Sequence, residues 1–195
     1  MSRHEGSAVQ GMLWVPCPVV AITSSWDGKV NGQIATSIAP ASIVSSVPRV
    51  FVGIWKRNYT HGFIIKSKAF AVHLLRRDQL TLVKKFGFYT GREVEKFTDD
   101  IEYEIGVTGS PLLQDAFAYI ECKIINAMDG GDMTCILAEV VDGRRLSDDD
   151  FFMTYDYFCA TAPREWLEQY GSRLAESVAF SLECIHNIDR TPWIP

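Results

Sequence analysis

The chain reads as a series of short apolar runs cut by Gly, Pro, Asn and Asp, and this punctuation restricts it to antiparallel β architectures. Pro18 to Ser25 (PVVAITSS) is predicted as a strand, Trp26-Asp27-Gly28-Lys29 as a hairpin turn, and Val30 to Ile38 as the returning strand. Arg49 to Trp55 (RVFVGIW), started by Pro48, and Phe70 to Leu75 are two more strands. Tyr119 to Ala127 and Thr134 to Asp142 make a second hairpin around Met128-Asp129-Gly130-Gly131-Asp132. Helices are few. Thr60 to Ser67 takes Thr60 as N-cap, and Asp78 to Phe86 takes Asp78 as cap with Leu80, Val83 and Phe86 on one face. Ala162 to Ala175 has Pro163 in its first turn. Such an excess of strands implies a mainly β barrel or sandwich, not a parallel α/β sheet. No repeat, low-complexity tract or linker divides the 195 residues, so residues 1–195 are read as one domain.

Composition excludes more than it proposes. A net charge of -5 argues against nucleic acid as a partner. The cysteines (Cys17, Cys122, Cys135, Cys159, Cys184) are scattered without a CxxC pair, so no zinc site or disulfide framework is indicated and four of the five are read as core residues. No run of ~18 apolar residues offers a membrane span, and MSRHEGSAVQG lacks the apolar stretch of a signal peptide. The protein is therefore expected to be cytoplasmic and free of the membrane. The sequence contains no GxGxxG, GxxxxGK[ST], GxSxG or HExxH, and its four histidines (His4, His61, His73, His186) have no paired spacing. No side chain is nominated as catalytic or as a metal ligand. Chemistry, if present, belongs to a cofactor.

The richest stretch for function runs from Asn31 to Leu75. Ala35-Thr36-Ser37 puts small residues on an otherwise apolar strand. They either let backbone groups approach a flat ligand closely or mark a crowded subunit contact. The turn Lys56-Arg57-Asn58-Tyr59-Thr60-His61 supplies cations and a hydroxyl where a helix begins, and open amides at a helix start favour an anion. It is either a phosphate site or a solvated basic loop. Together the two segments read as a pocket for a planar ring carrying a phosphate. His61 and His73 are read as hydrogen-bonded structural groups, and Ser147 to Asp150 (SDDD) as a solvated loop or cap.

Five quotable segments, in order, resemble the flavin reductase-like, FMN-binding split-barrel family, with a flavour of its flavoredoxin-type members. PCPVVAITS followed by DGKVNGQIATS resembles the family's opening strand, turn and NG-containing strand. VPRVFVGIWKRNYTHGFIIKSKAFAVHLL and DQLTLVKKFGFYTGREVEKF resemble its next two blocks. SPLLQDAFAYIECKI and GGDMTCILAEVVD resemble its last strand pair. The resemblance implies an antiparallel split β-barrel of Greek-key type with a few short peripheral helices. Its barrel core would span about residues 12–145, and residues 146–195 would be a C-terminal extension. It further implies a homodimer with FMN, or FAD, at or near the subunit interface and NADH or NADPH as co-substrate. By position, Ala35, Thr36, Ser37, Ile38 and Ala39 would line the isoalloxazine edge. Lys56, Asn58, Thr60 and His61 would hold the phosphate and ribityl chain, and Phe86 and Gly87 would close the ring pocket.

Three departures stand out. The chain is about two residues longer between Asn31 and Pro48, Val47 replaces a proline, and Met133 replaces the histidine of the family's GDH motif. Relatives resembling two-component reductases have that histidine near flavin and nicotinamide. Met133 thus motivates a second expectation, an FMN-binding electron-transfer protein reduced by a redox protein partner, with little NAD(P)H oxidation of its own.

Overall fold

The structure is a computed structural model that describes residues 17–189. Seven strands form one antiparallel sheet: β1 (Val20–Trp26), β2 (Lys29–Ala35), β3 (Ile38–Pro40), β4 (Arg49–Trp55), β5 (Ala69–Leu74), β8 (Ala118–Asp129) and β9 (Met133–Arg145). A small separate hairpin pairs β6 (Tyr103–Ile105) with β7 (Pro111–Leu113). Among the described residues four helices lie around them: α1 (Tyr59–Ser67), α2 (Leu80–Gly87), α3 (Tyr155–Thr161) and α4 (Arg164–Cys184). No described helix is long and apolar enough to cross a membrane.

The sheet order is β2-β1-β5-β8-β9-β4-β3. β2 and β3 therefore sit at opposite edges, yet only Thr36 and Ser37 separate them along the chain. A two-residue link can join two edges only if the sheet curls until they meet, which closes the barrel at that end. The expected single strand from Val30 to Ile38 is thus two strands. Ala35 pairs with Val20 across β1, whereas Ile38 pairs with Val52 across β4. The β1–β2 turn forms as expected, with Asp27 (φ 53°) and Gly28 (φ 70°) both left-handed, the backbone that matches strand twist in a two-residue hairpin.

Curling also explains the core. Val20 and Ile22 of β1 share one buried cluster with Val52 and Ile54 of β4, Phe70 and Val72 of β5, Ile136 of β9 and Ile64 of α1. Strands that are not neighbours meet only inside a barrel. The other face of β1, with Ala21 and the preceding Val19, packs against Val83 and Phe86 of α2, Met153, and Phe158 of α3. Alternate residues of β1 are therefore buried on both faces, as the two-residue period of a strand requires. Among the cysteines, Cys122 alone is fully buried; Cys17, Cys135 and Cys184 are partly buried, and Cys159 is exposed. The expectation of four core cysteines fails because Cys17, Cys135 and Cys184 are only partly buried, Cys184 lying on α4, a helix without a buried residue.

Helix starts also differ from local expectation. α1 begins at Tyr59 with Asn58 as cap, and Thr60 lies buried inside it. α2 starts at Leu80 after Gln79, because the Asp78 carboxylate is bound by Arg76 at 2.8 Å. That bond also holds the Asp78 carboxyl below its ordinary pKa. The C-terminal segment is tied back to the barrel by Val19 N–H to the Met153 carbonyl (3.0 Å) and Met153 N–H to the Leu75 carbonyl (2.7 Å). These bonds launch α3 and α4 across the outer face of the β1–β2 hairpin's base. Pro163 precedes α4 as its cap residue, and the helix runs to Cys184, well beyond the expected end at Ala175.

Candidate functional site

The Asn31-Gly32 pair organises the region where β2, α1 and α2 converge. Buried Asn31 accepts the Thr60 hydroxyl through Oδ1 at 2.8 Å, fastening α1 to β2. Gly91 packs so closely on the Asn31 amide that an added Cβ would overlap it. At Gly32 a Cβ would stand 2.5 Å from the Phe86 ring, so only glycine lets that ring lie on the strand. Lys96 closes the arrangement. Its buried ammonium donates to the Gly32 carbonyl (2.9 Å) and to the Phe86 carbonyl (2.8 Å), one of the open carbonyls ending α2. With no carboxylate beside it, burial pushes the Lys96 pKa down to about 8.

Two adjoining cavities open beside this joint. The first, about 140 Å³, is mostly apolar and lies among Val19, Ile34, Ala35, Thr36, Trp55, Val83, Gly87, Phe88, Tyr155, Phe158 and Tyr170. The second, about 280 Å³, is polar and is lined by Gln33, Arg57, Asn58, Thr60, Thr90, Arg92, Lys96 and Glu176 among others. Ile34, Asn58, Gly87, Phe88, Arg173 and Ser177 border both, so the two form one continuous recess with an aromatic limb and a basic limb. The cations of the basic limb are partly neutralised by Glu93 and Glu176. Arg92 lies 5.1 Å over the Tyr59 ring and donates to the Arg57 carbonyl at 3.1 Å.

The recess has one unmet demand. Among the described residues, Gln33 Oε1 is the one buried side-chain oxygen or nitrogen without a hydrogen-bond partner, and Gln33 lines the basic limb. Leaving such an acceptor empty costs about 1–3 kcal/mol. A ligand hydroxyl or N–H that reached Oε1 would remove that cost.

The flavin reductase like domain family matches residues 12–160. The chain belongs to this family. This flavin reductase-like chain is 36% identical over 138 residues to a ferric-chelate reductase (NAD(P)H) of Archaeoglobus fulgidus, covering 70% of this chain and 80% of that protein. It is 34% identical over 139 residues to the high molecular weight rubredoxin of Moorella thermoacetica, covering 70% of this chain and 59% of that longer protein. Among solved structures, an FMN-binding protein from Thermus thermophilus with bound 1-cyclohex-2-enone superposes with a TM-score of 0.62 at 26% identity. The match covers 68% of this chain and 72% of that one. The split-barrel fold expected from the sequence is the fold observed.

The structure brings some of the expected flavin residues together and separates others. Ala35 and Thr36 border the aromatic limb, Thr60 and Phe86 the basic limb, and Asn58 and Gly87 both. Ser37, Ile38 and Ala39 border neither, because the chain has crossed to the opposite sheet edge, where Ile38 and Ala39 pair with Val52 and Phe51. Lys56 and His61 border neither limb and line an adjoining cleft with Lys29 and Lys66, which meets the basic limb at Asn58, Tyr59 and Arg92. There Lys56 is paired with Asp129 at 2.5 Å. His61 Nε2 lies 2.9 Å from Thr134 Oγ1, and burial, then Lys56, lowers its pKa against the opposing pull of Asp129. Met133 also lies outside both limbs, its methyl packed on Gly53 of β4. The cations of the recess are instead Arg57, Arg92, Lys96 and Arg173. Arg92 and Lys96 lie in the quoted TGREVEKF run, the one signal that could have found them.

Proposed function

We propose that this flavin reductase-like chain binds FMN in the two-limbed recess and is an oxidoreductase moving electrons from NADH or NADPH to free flavin or another acceptor. The observation that carries the assignment is the recess itself, an aromatic limb joined to a basic limb that holds an unsatisfied buried acceptor. The residues fit the cofactor. Ala35, Thr36 and Gly87 present small side chains and backbone to a flat ring between Ile34 and Phe88. Gln33 accepts from a ribityl hydroxyl, and Arg57, Arg92, Arg173 and the first-turn amides of α1 hold a phosphate. When bound, FMN supplies acceptance of a hydride from nicotinamide and release of its electrons to an acceptor. The chain's part is to position the ring, to exclude water from the aromatic limb and to place the Lys96 charge behind Gly32 and Phe86, where positive potential favours a reduced, anionic ring.

The names of the relatives support this reading: a ferric-chelate reductase (NAD(P)H) and an FMN-binding protein. A homodimer is part of the proposal. Ile43 is fully exposed and Val44, Val47 and Phe51 are substantially so, an apolar stretch beside edge strand β3 that a second copy would cover. Anaerobic mixing of the FMN-loaded protein with NADH or NADPH tests the donor. The expected result is bleaching of the visible flavin band within the mixing experiment by at least one of the two. A second reading, an electron carrier reduced by a protein partner, is favoured by Met133 and by the relative named a rubredoxin. A band that stays unbleached by both nucleotides but is reduced by chemical reductant would select it.

A further inference from the structure

The matched family segment ends at residue 160, yet α4, from Arg164 to Cys184, borders both limbs of the recess. Three contacts fix its path. Trp166 lies beneath Lys84 of α2 at 4.5 Å, Tyr170 stacks on Phe88 at 5.9 Å and 28°, and the Cys184 and Ile185 carbonyls press on Gly131 (φ 89°) of the β8–β9 turn. Between these anchors α4 meets the chain just before α1. Arg57 donates from Nη2 to Glu176 Oε2 at 3.3 Å and from Nη1 to Ser177 Oγ at 3.2 Å. Arg173 Nη1 approaches that same Glu176 oxygen at 3.6 Å.

Two guanidinium groups from separate elements thus converge on one carboxylate oxygen at the edge of the basic limb. Arg173 is also the one cation among the residues bordering the aromatic limb. These side chains are one-third to one-half exposed, so the Glu176 contacts are individually weak and an incoming anion can replace them. The other cations are more committed: Lys96 to two carbonyls, and Arg92 to the Arg57 carbonyl and the Tyr59 ring.

We infer that Arg57 and Arg173 form a phosphate clamp closed by α4, that Glu176 occupies its anion position in the ligand-free chain, and that the clamp makes this chain select phosphorylated flavin over riboflavin. The inference rests on the flavin reading of the recess and assigns its anion specificity to a helix outside the matched family segment. A dianionic phosphate outcompetes a single carboxylate because it offers more charge and three acceptor oxygens to the same two forks.

The test is flavin titration, followed by quenching of flavin fluorescence, with FMN and with riboflavin against wild type, Arg173→Gln and Glu176→Gln. Arg173→Gln is expected to weaken FMN about tenfold or more, and Glu176→Gln to tighten it about threefold, while riboflavin changes less than about twofold in either. Melting of the ligand-free variants checks that each is folded. Equal shifts for FMN and riboflavin would make α4 merely structural and overturn the inference, as would unchanged FMN affinity in both variants. If wild type binds neither flavin, the recess assignment falls and the clamp falls with it. If wild type binds FMN and riboflavin equally, the clamp alone fails.

Discussion

Replacing Thr36 by Trp is expected to lower FMN affinity by about a hundredfold or more while leaving the melting temperature of the ligand-free protein within a few degrees of wild type. Thr36 borders the aromatic limb, whose volume is about 140 Å³, and lies in the two-residue link that closes the barrel. Its carbonyl takes the Ile38 N–H at 3.1 Å, a bond any residue can make. The side chain is half-buried and outside the clusters that hold the sheet together, so an indole there enters the recess without overpacking the core. An indole occupying that limb excludes the ring sterically, an effect larger than loss of any single polar contact to the phosphate. Titration of FMN into the variant and wild type measures it. Wild-type affinity in Thr36→Trp would place the ring elsewhere.

The second large effect is on stability in acid. His73 is fully buried, with Nδ1 3.2 Å from the Ala21 carbonyl and Nε2 taking the Leu113 N–H at 3.1 Å. That pair of bonds fixes the tautomer: Nδ1 carries the proton and donates, and Nε2 accepts. A second proton at Nε2 would face the Leu113 N–H in a site without solvent. Burial first, opposed by the Ala21 bond, lowers the His73 pKa from 6.5 to about 4. In the unfolded chain the ring binds its proton near 6.5, so the unfolded state takes up more protons between the two values. The stability associated with neutral His73 is complete above pH 6.5 and is lost as pH falls towards 4, by about 3 kcal/mol in total. Against a typical domain stability of about 5–15 kcal/mol, this is a large fraction. Urea unfolding at pH 7, 5.5 and 4.5 is expected to show the decline, and His73→Gln, though less stable at pH 7, should show a shallower one. Parallel pH profiles for the two proteins would contradict the assignment. Since His61 is also held below its ordinary pKa, the difference between the proteins isolates His73.

Both effects depend on features that local sequence reveals unevenly. The Asp27-Gly28 turn, β4 and the Gly130-Gly131 hairpin are legible because turn residues and alternation act over a few positions. The break at Thr36-Ser37 is not, since Gly32 lies inside β2, no Gly or Pro marks the break itself, and the crossing is imposed by closure of the whole sheet. Thr60 looks like a cap in its own segment, but its hydroxyl is claimed by Asn31, 29 residues away along the chain. On the basic turn, close neighbours in sequence line different clefts: Arg57 the recess, Lys56 and His61 the cleft beside it. Local pattern gives the presence of cations there but not the side each one faces. The aromatic run from Phe151 to Phe158 suggests either a subunit interface or a covered groove, and Tyr155 and Phe158 line a groove with Tyr170 of α4. Its partner could be known only once the Met153 bonds had set the path of α4.

The central claim is that the recess between β2, α1, α2 and α4 is a flavin site, and uptake of FMN tests it most directly. Purified protein, loaded with excess FMN and passed through gel filtration, is expected to retain visible flavin bands at one FMN per chain and to release intact FMN on denaturation. Protein that emerges colourless and shows no saturable quenching of FMN fluorescence on titration would contradict the account.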